Sequence, residues 1–464
     1  MQKITIKNFG AIKEAEIEVK KVLVLIGEQA SGKSTIAKLI YFFKSLRDEL
    51  FNQIYQDKKE QFNITSDIKF LIRQKFYDFF GSTFHLPDFE ITFYYDSEQD
   101  KHLKLTLNNR KKLLANFSNN FLSNDFKTSA NQIKKLLQQG LSANTIHEQL
   151  AYEQNKMRYA QRLSGLVNKL FESNQTDSLF VIAGRNVTIS YSDMFEKYLF
   201  ATAQNRVEEN SKQSEKRNAQ TIDETLMLKF MERVVKIKDI FKKFGNFEGL
   251  IESYAENESV KRNLHFVKNK VDEILKGKYL IDNWGEKIFF NKTGEYVYLS
   301  NASSGQQESV RILQDIFMIT LDNLKFLRII EEPEAHLFPI AQKQLIELLA
   351  LMINQDNDNQ LIITTHSPYV LTVFNNLLFA KRVVEKNPLV ESKVANVVSK
   401  HFWLSSSDFS AYSLGNQEEL VYCESIVDET TNLIQQNYLD EISELLGSEF
   451  NALYSIHAET FTRK

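Results

Sequence analysis

The sequence predicts an α/β protein whose core is built from two separated parts of the chain. In the first part, the apolar run "VLVLIG" (residues 22–27) is joined by a glycine-containing turn to a long stretch of helical period. In the second part, the apolar runs "LRII" and "LIITT" each end in polar residues, which is typical of buried parallel strands. A long, charged and mainly helical stretch separates the two parts.

The other elements follow from the same periodicities. Alternating apolar residues predict strands in "KITIKNF", "AEIEV", "FEITFYYD" and "HLKLTLN". Residues 126–170 and 195–277 are charged and helical in period, and strand character returns between them in "SLFVIAGRNVTISY" (178–191). Two further strands, "KIFFN" and "YVYLS", follow residue 285.

These patterns predict three regions. We expect the first part of the core, with a β subdomain, over residues 1–125, and a mainly helical insertion over 126–284. The insertion includes a short strand segment near 178–191. The second part of the core then covers 285–464 and ends in a hairpin and a closing helix.

Composition excludes several classes of protein. A net charge of −3 over 464 residues argues against a chain coated for nucleic acid. The single cysteine, Cys423, excludes an intramolecular disulfide framework and fits a reducing compartment. The N-terminus has no apolar signal core, and no apolar run reaches about 18 residues, so we expect a cytoplasmic protein without membrane contact.

The motif "GEQASGKST" lies between the first apolar strand and a helix, which is the context of a phosphate-binding loop. Two glycines permit backbone conformations in which successive N–H groups converge on phosphate oxygens. We expect Lys33 to bind the β- and γ-phosphates of ATP and Ser34 to bind Mg²⁺. The alternative is an ordinary glycine turn. The predicted nucleotide-binding residues are Gly27, Glu28, Gln29, Ala30, Ser31, Gly32, Lys33, Ser34 and Thr35.

The later apolar strand "LRII" ends in two glutamates. Many enzymes with a phosphate-binding loop place two carboxylates here, one near the metal ion and one near the attacking water. We therefore assign Glu331 to the Mg²⁺ shell and Glu332 to the general base. The alternative is that these carboxylates cap the helix after Pro333.

A histidine directly follows the strand "LIITT". A lone histidine is more often structural than catalytic, but a neighbouring parallel strand would present His366 to the γ-phosphate. Its ring N–H would stabilise the charge that develops there, so we expect a catalytic role.

Together with "ASSGQ" (302–306), these motifs resemble the ABC-type ATPase heads of the SMC and OLD-like clan. Such heads carry a Leu-Ser-Gly-Gly-Gln signature at a helix N-terminus. Here alanine replaces the leucine, and Ser304 replaces one glycine. The matching motifs cover roughly residues 3–40 and 298–375, and the glutamine that senses metal and water between the lobes of such heads is not placed.

The resemblance implies a homodimer or larger oligomer with composite ATP sites. In such heads the signature of one subunit contacts the γ-phosphate held by another, which assigns Ser303, Gly305 and Gln306 to nucleotide binding. A hydroxyl, a backbone N–H and a helix N-terminus all suit an anion. The alternative is that this turn only caps its own helix.

The segments "EEPEAHLFP" and "TTHSPYVL" are most similar to the bacterial OLD-like subset, many of which serve antiphage defence. The resemblance implies a nucleotide-gated scaffold or sensor that works with a separate nuclease or toxin. A DNA repair or recombination clamp is the alternative. A transporter ATPase fits poorly, because the spacing between phosphate loop and signature exceeds what is usual there.

Three weaker expectations concern the rest of the chain. Arg185 in "VIAGR" is expected either to contact nucleotide or partner, or to be a surface arginine at a strand end. An OLD-type TOPRIM nuclease is not expected after residue 376, because Glu424 and Asp428 lack the glycine and the later Asp-x-Asp that it needs. DNA contact is suggested by "NRKKLL", "KIKDIFKKF" and "VKRNLHFVKNK", although such charged faces are usually only solvated.

Overall fold

The fold is taken from a computed structural model, which describes most of the chain. The described residues are 1–56, 63–139, 146–190, 222–255, 258–290, 294–415, 422–435, 449, 450 and 453. The strands are β1 (Lys3–Phe9), β2 (Ile12–Glu18), β3 (Val22–Gly27), β4 (Glu90–Asp96), β5 (Lys101–Leu107), β6 (Leu113–Phe117), β7 (Asp177–Val181), β8 (Lys278–Asp282), β9 (Gly285–Phe289), β10 (Tyr296–Tyr298), β11 (Phe326–Glu331), β12 (Gln360–Thr365), β13 (Phe409–Leu414) and β14 (Cys423–Ser425).

Helices lie between these strands and on both sides of the largest sheet. They are α1 (Lys33–Gln56), α2 (Ile64–Phe80), α3 (Asn124–Gln139), α4 (Ile146–Phe171), α5 (Val187–Ser190), α6 (Ile222–Phe244), α7 (Asn246–Tyr254), α8 (Glu258–Leu275), α9 (Ser304–Asp322), α10 (Pro339–Ile353), α11 (Pro368–Lys386) and α12 (Glu391–Val397).

A six-stranded sheet brings the two separated parts of the chain together. Its strand order is β14-β13-β3-β12-β11-β7, and all neighbours are parallel except β13 and β14. Every residue of β11 and β12 is buried, which fits the apolar residues in the middle of these strands, Ile329 and Ile330 in β11 and Leu361, Ile362 and Ile363 in β12. The predicted α/β class with a mixed sheet core is therefore confirmed.

The predicted β subdomain is an antiparallel sheet with the order β2-β1-β4-β5-β6. Its apolar face packs against α1 and α2 through phenylalanine rings, and Phe42 lies within 6 Å of the rings of Phe43, Phe76, Phe79 and Phe80. Edge-to-face contacts of this kind add to the stabilisation from burial itself. This core therefore holds α1, the helix that follows the phosphate loop, in a fixed position.

A third, antiparallel sheet, β10-β9-β8, leads directly into α9. The boundary that we expected at residue 284 falls inside the β8–β9 hairpin, so β8 belongs with the second part of the core. Asp282 pairs with Gly285 across a tight turn, so residues on both sides of 284 form one unit.

The segment 178–191 also differs from expectation. Only its first part is a strand, and β7 pairs with β11 as the edge of the main sheet instead of belonging to the insertion. The following "NVTIS" (186–190) is not a strand, because Gly184 has a φ of +70° and residues Val187–Ser190 form one helical turn. The C-terminal hairpin is present as β13 and β14, whereas the expected closing helix lies mostly outside the described residues, as does 191–221.

A buried ion-pair network joins β7 and β11 to the helices. Arg328 on β11 is fully buried, and its guanidinium donates to Asp315 on α9 at 2.6 Å and to Asp177 on β7 at 2.6 Å. Arg233 on α6 also donates to Asp315, at 2.9 Å. Because each charge has partners, the cost of its burial is offset.

We predict that Arg328→Leu destabilises the protein strongly, because it leaves the buried Asp315 and the half-buried Asp177 without their main partner. Loss of one member of a buried pair costs about 3–5 kcal/mol. Urea unfolding followed by circular dichroism measures this change. Lys104→Ala serves as the control, since it removes only the exposed pair with Glu90. Equal unfolding midpoints for the two variants would contradict the prediction.

Candidate nucleotide-binding site

The phosphate loop turns sharply between β3 and α1. Gly27, Ala30 and Gly32 have positive φ angles of 149°, 62° and 91°. A Cβ on Gly27 would lie 2.2 Å from the Leu414 carbonyl oxygen on β13, so this glycine is required by close packing as well as by its backbone angle. Most of the loop faces solvent, since Glu28, Gln29 and Ala30 are exposed.

Lys33 begins α1 with its ammonium group folded over the loop. Its Nζ donates to the carbonyl oxygens of Gly27 at 2.8 Å and Glu28 at 2.6 Å, and to Ser31 Oγ at 3.3 Å. Burial lowers the pKa of Lys33 to about 8, although the carboxylates of Glu332, Glu334 and Glu28 act in the opposite direction. These contacts hold the ammonium group over the loop.

The two residues after Lys33 complete the predicted loop motif. Ser34 is exposed in the first turn of α1, whereas Thr35 is half-buried and would contact any side chain added at Gly10. The Ser34 hydroxyl therefore lies at the exposed helix N-terminus, where the helix dipole favours a bound phosphate.

Glu331 is the last residue of β11 and is buried. Its Oε2 accepts a hydrogen bond from the Ala183 backbone N–H at 3.2 Å, and its Oε1 has no partner among the described residues. A buried carboxylate oxygen without a donor is costly unless a cation or water occupies the space beside it. An unpartnered carboxylate oxygen of this kind suits a hard divalent cation, so the chemistry of Glu331 fits the metal role expected for it.

Glu332 follows in a strained backbone conformation, with a φ of +43°. Its backbone N–H donates to the Thr364 carbonyl at 2.8 Å, which continues the pairing of β11 with β12. Its side chain is partly exposed and lies beside His366, with 3.3 Å between Glu332 Oε1 and His366 Nε2. The two side chains assigned to catalysis are thus brought together.

From the sequence, Glu334 is expected only to line the turn after the acidic pair, but in the structure it is buried. Its Oε1 accepts hydrogen bonds from the Thr365 hydroxyl and, at 3.0 Å, from the His366 backbone N–H. Burial raises the pKa of this carboxyl group. Glu334 therefore fixes the start of the segment that carries His366, and the third glutamate of "EEPE" was the available signal.

The signature turn caps its own helix. Ser303 and Gln306 form a reciprocal capping box at the N-terminus of α9, and the Gln306 side-chain amide also donates to the Leu275 carbonyl at 2.7 Å. A Cβ on Gly305 would lie 2.6 Å from the His336 carbonyl, so this glycine is needed for packing within the chain. Ser303 and Ser304 remain exposed, and within the described residues no hydrogen bond joins this turn to the phosphate loop.

Arg185 is not a surface arginine. It is fully buried, and its guanidinium donates to the backbone carbonyls of Glu331 at 2.6 Å and Glu332 at 2.9 Å. The sequence offered a signal only in the segment "VIAGR" itself, because Glu331 and Glu332 are more than a hundred residues away.

Tyr422 was also missed. Its buried hydroxyl donates to the Ser31 carbonyl and would lie 2.7 Å from a Cβ on Gly32. The C-terminal hairpin therefore packs directly on the phosphate loop, a contact that no local pattern predicts.

Glu424 and Asp428 are the two acidic residues compared above with a TOPRIM motif. The Asp428 side chain stabilises the turn that follows it. Its Oδ1 accepts hydrogen bonds from the Thr430 and Thr431 backbone N–H groups and from the Thr430 hydroxyl, and these bonds lower its pKa to about 2. Asp428 thus has a structural role in its turn.

The geometry agrees with a family match that covers most of the chain. The sequence model of the AAA ATPase domain family matches residues 1–371. The chain belongs to this family. It is an ATP-binding ATPase. The matched residues include the phosphate loop, both glutamates of the β11 end and His366, whereas Tyr422 lies beyond them.

Solved structures with 12% identical sequences resemble parts of this AAA ATPase. The alignment with an SMC head domain from Thermotoga maritima covers 80% of this chain and 90% of the SMC chain, with a TM-score of 0.33. An SMC head bound to the C-terminal winged-helix domain of ScpA covers 80% and 91%, with a TM-score of 0.35. The recombination mediator RecF covers 79% and 92%, with a TM-score of 0.29. No curated protein matches the sequence, and no helix within the described ranges is long and apolar enough to span a bilayer.

We predict that ATP affinity of this AAA ATPase falls as the pH rises above about 8. A phosphate favours the charged form of Lys33, so binding is tightest while Lys33 is already protonated, below its pKa of about 8. Above that pH, binding must take up a proton, and Kd rises by up to about tenfold per pH unit until the pKa of the complex is reached.

Isothermal titration of ATP between about pH 7.5 and 9.5 measures this dependence, which starts above the last ionisation expected for a phosphate. Lys33→Ala is the control: it binds ATP more weakly, and its affinity lacks the pH dependence. A constant Kd for the unaltered protein across this range would contradict the prediction.

Proposed function

We propose that this AAA ATPase hydrolyses ATP at composite sites formed between two copies of the chain. The observation that carries the proposal is that the motifs lie in two separate groups, one at the sheet edge and one at the signature turn. Lys33, Glu332 and His366 converge at one edge of the main sheet. The signature turn, in contrast, has exposed serines and contacts other parts of its own chain.

The residues at the sheet edge suit phosphoryl transfer to water. Lys33 would exchange its loop carbonyls for the β- and γ-phosphates, and Mg²⁺, when bound by Ser34 and Glu331, supplies charge neutralisation. Glu332 would accept a proton from the attacking water, and the His366 ring N–H would donate to the γ-phosphate oxygens. Positioning and electrostatic stabilisation are the main sources of catalysis in such reactions.

The signature turn is suited to an anion outside its own chain. The exposed Ser303 and Ser304 lie at the N-terminus of the long helix α9, whose dipole favours negative charge. The Ser303 hydroxyl would exchange its capping bond for a phosphate oxygen of the second copy. ATP would therefore hold the two heads together, and hydrolysis would release them.

We further propose that this ATPase serves antiphage defence as an OLD-like scaffold or sensor with a separate nuclease or toxin effector. The support is the resemblance of "EEPEAHLFP" and "TTHSPYVL" to that subset. Loss of phage protection in cells that carry Glu332→Gln tests this role, and loss of DNA-damage survival instead would favour a repair clamp.

Charge pairing weakens the case for DNA as the main ligand. In the basic segments, Lys111 pairs with Asp88 at 2.7 Å, Lys268 with Glu248 at 2.8 Å, and Lys261 with Glu252 at 2.9 Å. A lysine that is already paired with a carboxylate neutralises DNA phosphates less effectively and displaces fewer counterions from the DNA. Such lysines therefore contribute less to DNA affinity.

We predict that Glu332→Gln lowers ATP turnover by about 10²- to 10⁴-fold, the range that general bases usually contribute. ATP binding is retained, because the amide has the shape of the carboxylate and Lys33 is unchanged. Phosphate release and equilibrium ATP binding measure the two effects separately. Unchanged turnover would exclude Glu332 as the base.

We predict that Ser303→Arg abolishes turnover without preventing ATP from binding to the phosphate loop. Lys33→Ala is likewise inactive, because it cannot hold the phosphates. A mixture of the two variants regains part of the activity if sites are composite, since a mixed dimer contains one site with both motifs intact. Sites that lie within one chain would leave the mixture as inactive as its components.

A further inference from the structure

Arg185 lies at the centre of a buried cluster behind the proposed catalytic glutamate. The side chain is fully buried, and Glu308 on α9 is 2% exposed. Glu308 Oε2 accepts a hydrogen bond from the Arg185 backbone N–H at 3.0 Å and lies 3.3 Å from the guanidinium Nε. The guanidinium contacts are to the carbonyls of Glu331 at 2.6 Å, Glu332 at 2.9 Å, Ile182 at 3.0 Å and Glu308 at 3.2 Å.

The backbone at Glu332 needs such support. Its positive φ is unfavourable for a residue with a side chain and persists only where the surroundings impose it. The Glu332 N–H is held by the Thr364 carbonyl, and Arg185 binds the two carbonyls on either side of the Glu331–Glu332 bend. The Glu332 carbonyl also accepts a hydrogen bond from the Ala335 N–H at 3.0 Å, but Arg185 is the one side chain that donates to both carbonyls of the bend within the described residues. The guanidinium therefore helps to set the direction of the Glu332 side chain.

We propose that Arg185 is a positioning residue for ATP hydrolysis, which fixes the Glu331–Glu332 backbone so that Glu332 faces the attacking water. The inference rests on the proposed role of Glu332 as the base. Glu308 lies two residues after Gln306, so the same cluster connects the signature helix to the base. Arg185 does not itself touch the nucleotide, because it is buried behind the strand end.

This positioning role requires the planar guanidinium group of arginine, which carries several N–H donors in a fixed arrangement. One guanidinium donates in fixed directions to two successive carbonyls, whereas an ammonium is a point charge on a flexible stem. Arg185→Lys therefore keeps the charge beside Glu308 but loses the fixed geometry at Glu331 and Glu332.

Arg328 offers a matched control. It lies on β11, the strand that ends in Glu331. It is also fully buried, it also pairs with a carboxylate of α9, Asp315, and it also donates to a β11 carbonyl, that of Leu327 at 3.2 Å. It contacts neither Glu331 nor Glu332. Arg328→Lys thus removes a comparable buried fork without disturbing the bend.

We expect Arg185→Lys to lower kcat by about 10- to 100-fold, the loss that a small misplacement of a catalytic group causes. ATP affinity stays within about threefold of the original, since the phosphate loop is unchanged. Arg328→Lys lowers the urea unfolding midpoint at least as much as Arg185→Lys does. Its kcat nevertheless stays within about threefold of that of the unaltered protein. A kcat loss of the same size in both variants, or none in Arg185→Lys, would overturn the inference.

A double-mutant cycle separates this inference from the proposed function. If Arg185 acts through Glu332, Arg185→Lys has no further effect on kcat in the Glu332→Gln background. Full additivity overturns the positioning role while leaving Glu332 as the base. Unchanged turnover in Glu332→Gln alone would instead overturn the proposed function.

A second variant covers the case in which Arg185→Lys does not fold. Glu308→Gln keeps an acceptor for the Arg185 backbone N–H but removes the charge that holds the guanidinium. We expect a several-fold loss of kcat with unchanged ATP affinity, and the loss disappears in the Glu332→Gln background. An unchanged kcat would contradict the inference.

Discussion

The parallel pairing of β12 with both β3 and β11 is the constraint on which the site depends. Thr365 pairs with Ile26, and Glu331 pairs with Thr364, so three strands end at one edge of the sheet. The carboxyl ends of parallel strands are where α/β folds place their ligand sites. The phosphate loop, the two glutamates and His366 follow directly from these strand ends, although more than three hundred residues separate the first from the last.

Buried charges then set the position of the signature helix. Glu308, Arg311 and Asp315 lie on one face of α9 and are all buried. They pair with Arg185, with Glu286 on β9 at 2.5 Å, and with Arg328. Ion pairs of this kind need close partners to offset desolvation, so they favour one placement of the helix. The helix N-terminus that carries Ser303 is thereby held in a defined relation to the Glu332 bend.

The sequence predicted those parts of the site whose chemistry is local. The phosphate loop has all its residues within one short motif, and the acidic pair and the histidine each follow a recognisable apolar strand. Arg185 and Tyr422 could not be found in this way, because each acts through contacts with residues far away in the sequence. Segment 178–191 was misjudged for a related reason: β branching favoured a strand, and Gly184 ended it. The roles of the site residues remain predictions.

The central claim is that the signature of one copy faces the phosphate loop of another, and cross-linking tests it most directly. In a Cys423→Ser, Glu332→Gln background, one tagged chain carries Ser304→Cys and a differently tagged chain carries Gln29→Cys, both at exposed positions. With a short bismaleimide, the account predicts a cross-linked pair of 54.0 kDa chains that carries both tags and forms with ATP but not with ADP. Absence of that product while ATP is bound, or equal yields without nucleotide, would contradict it.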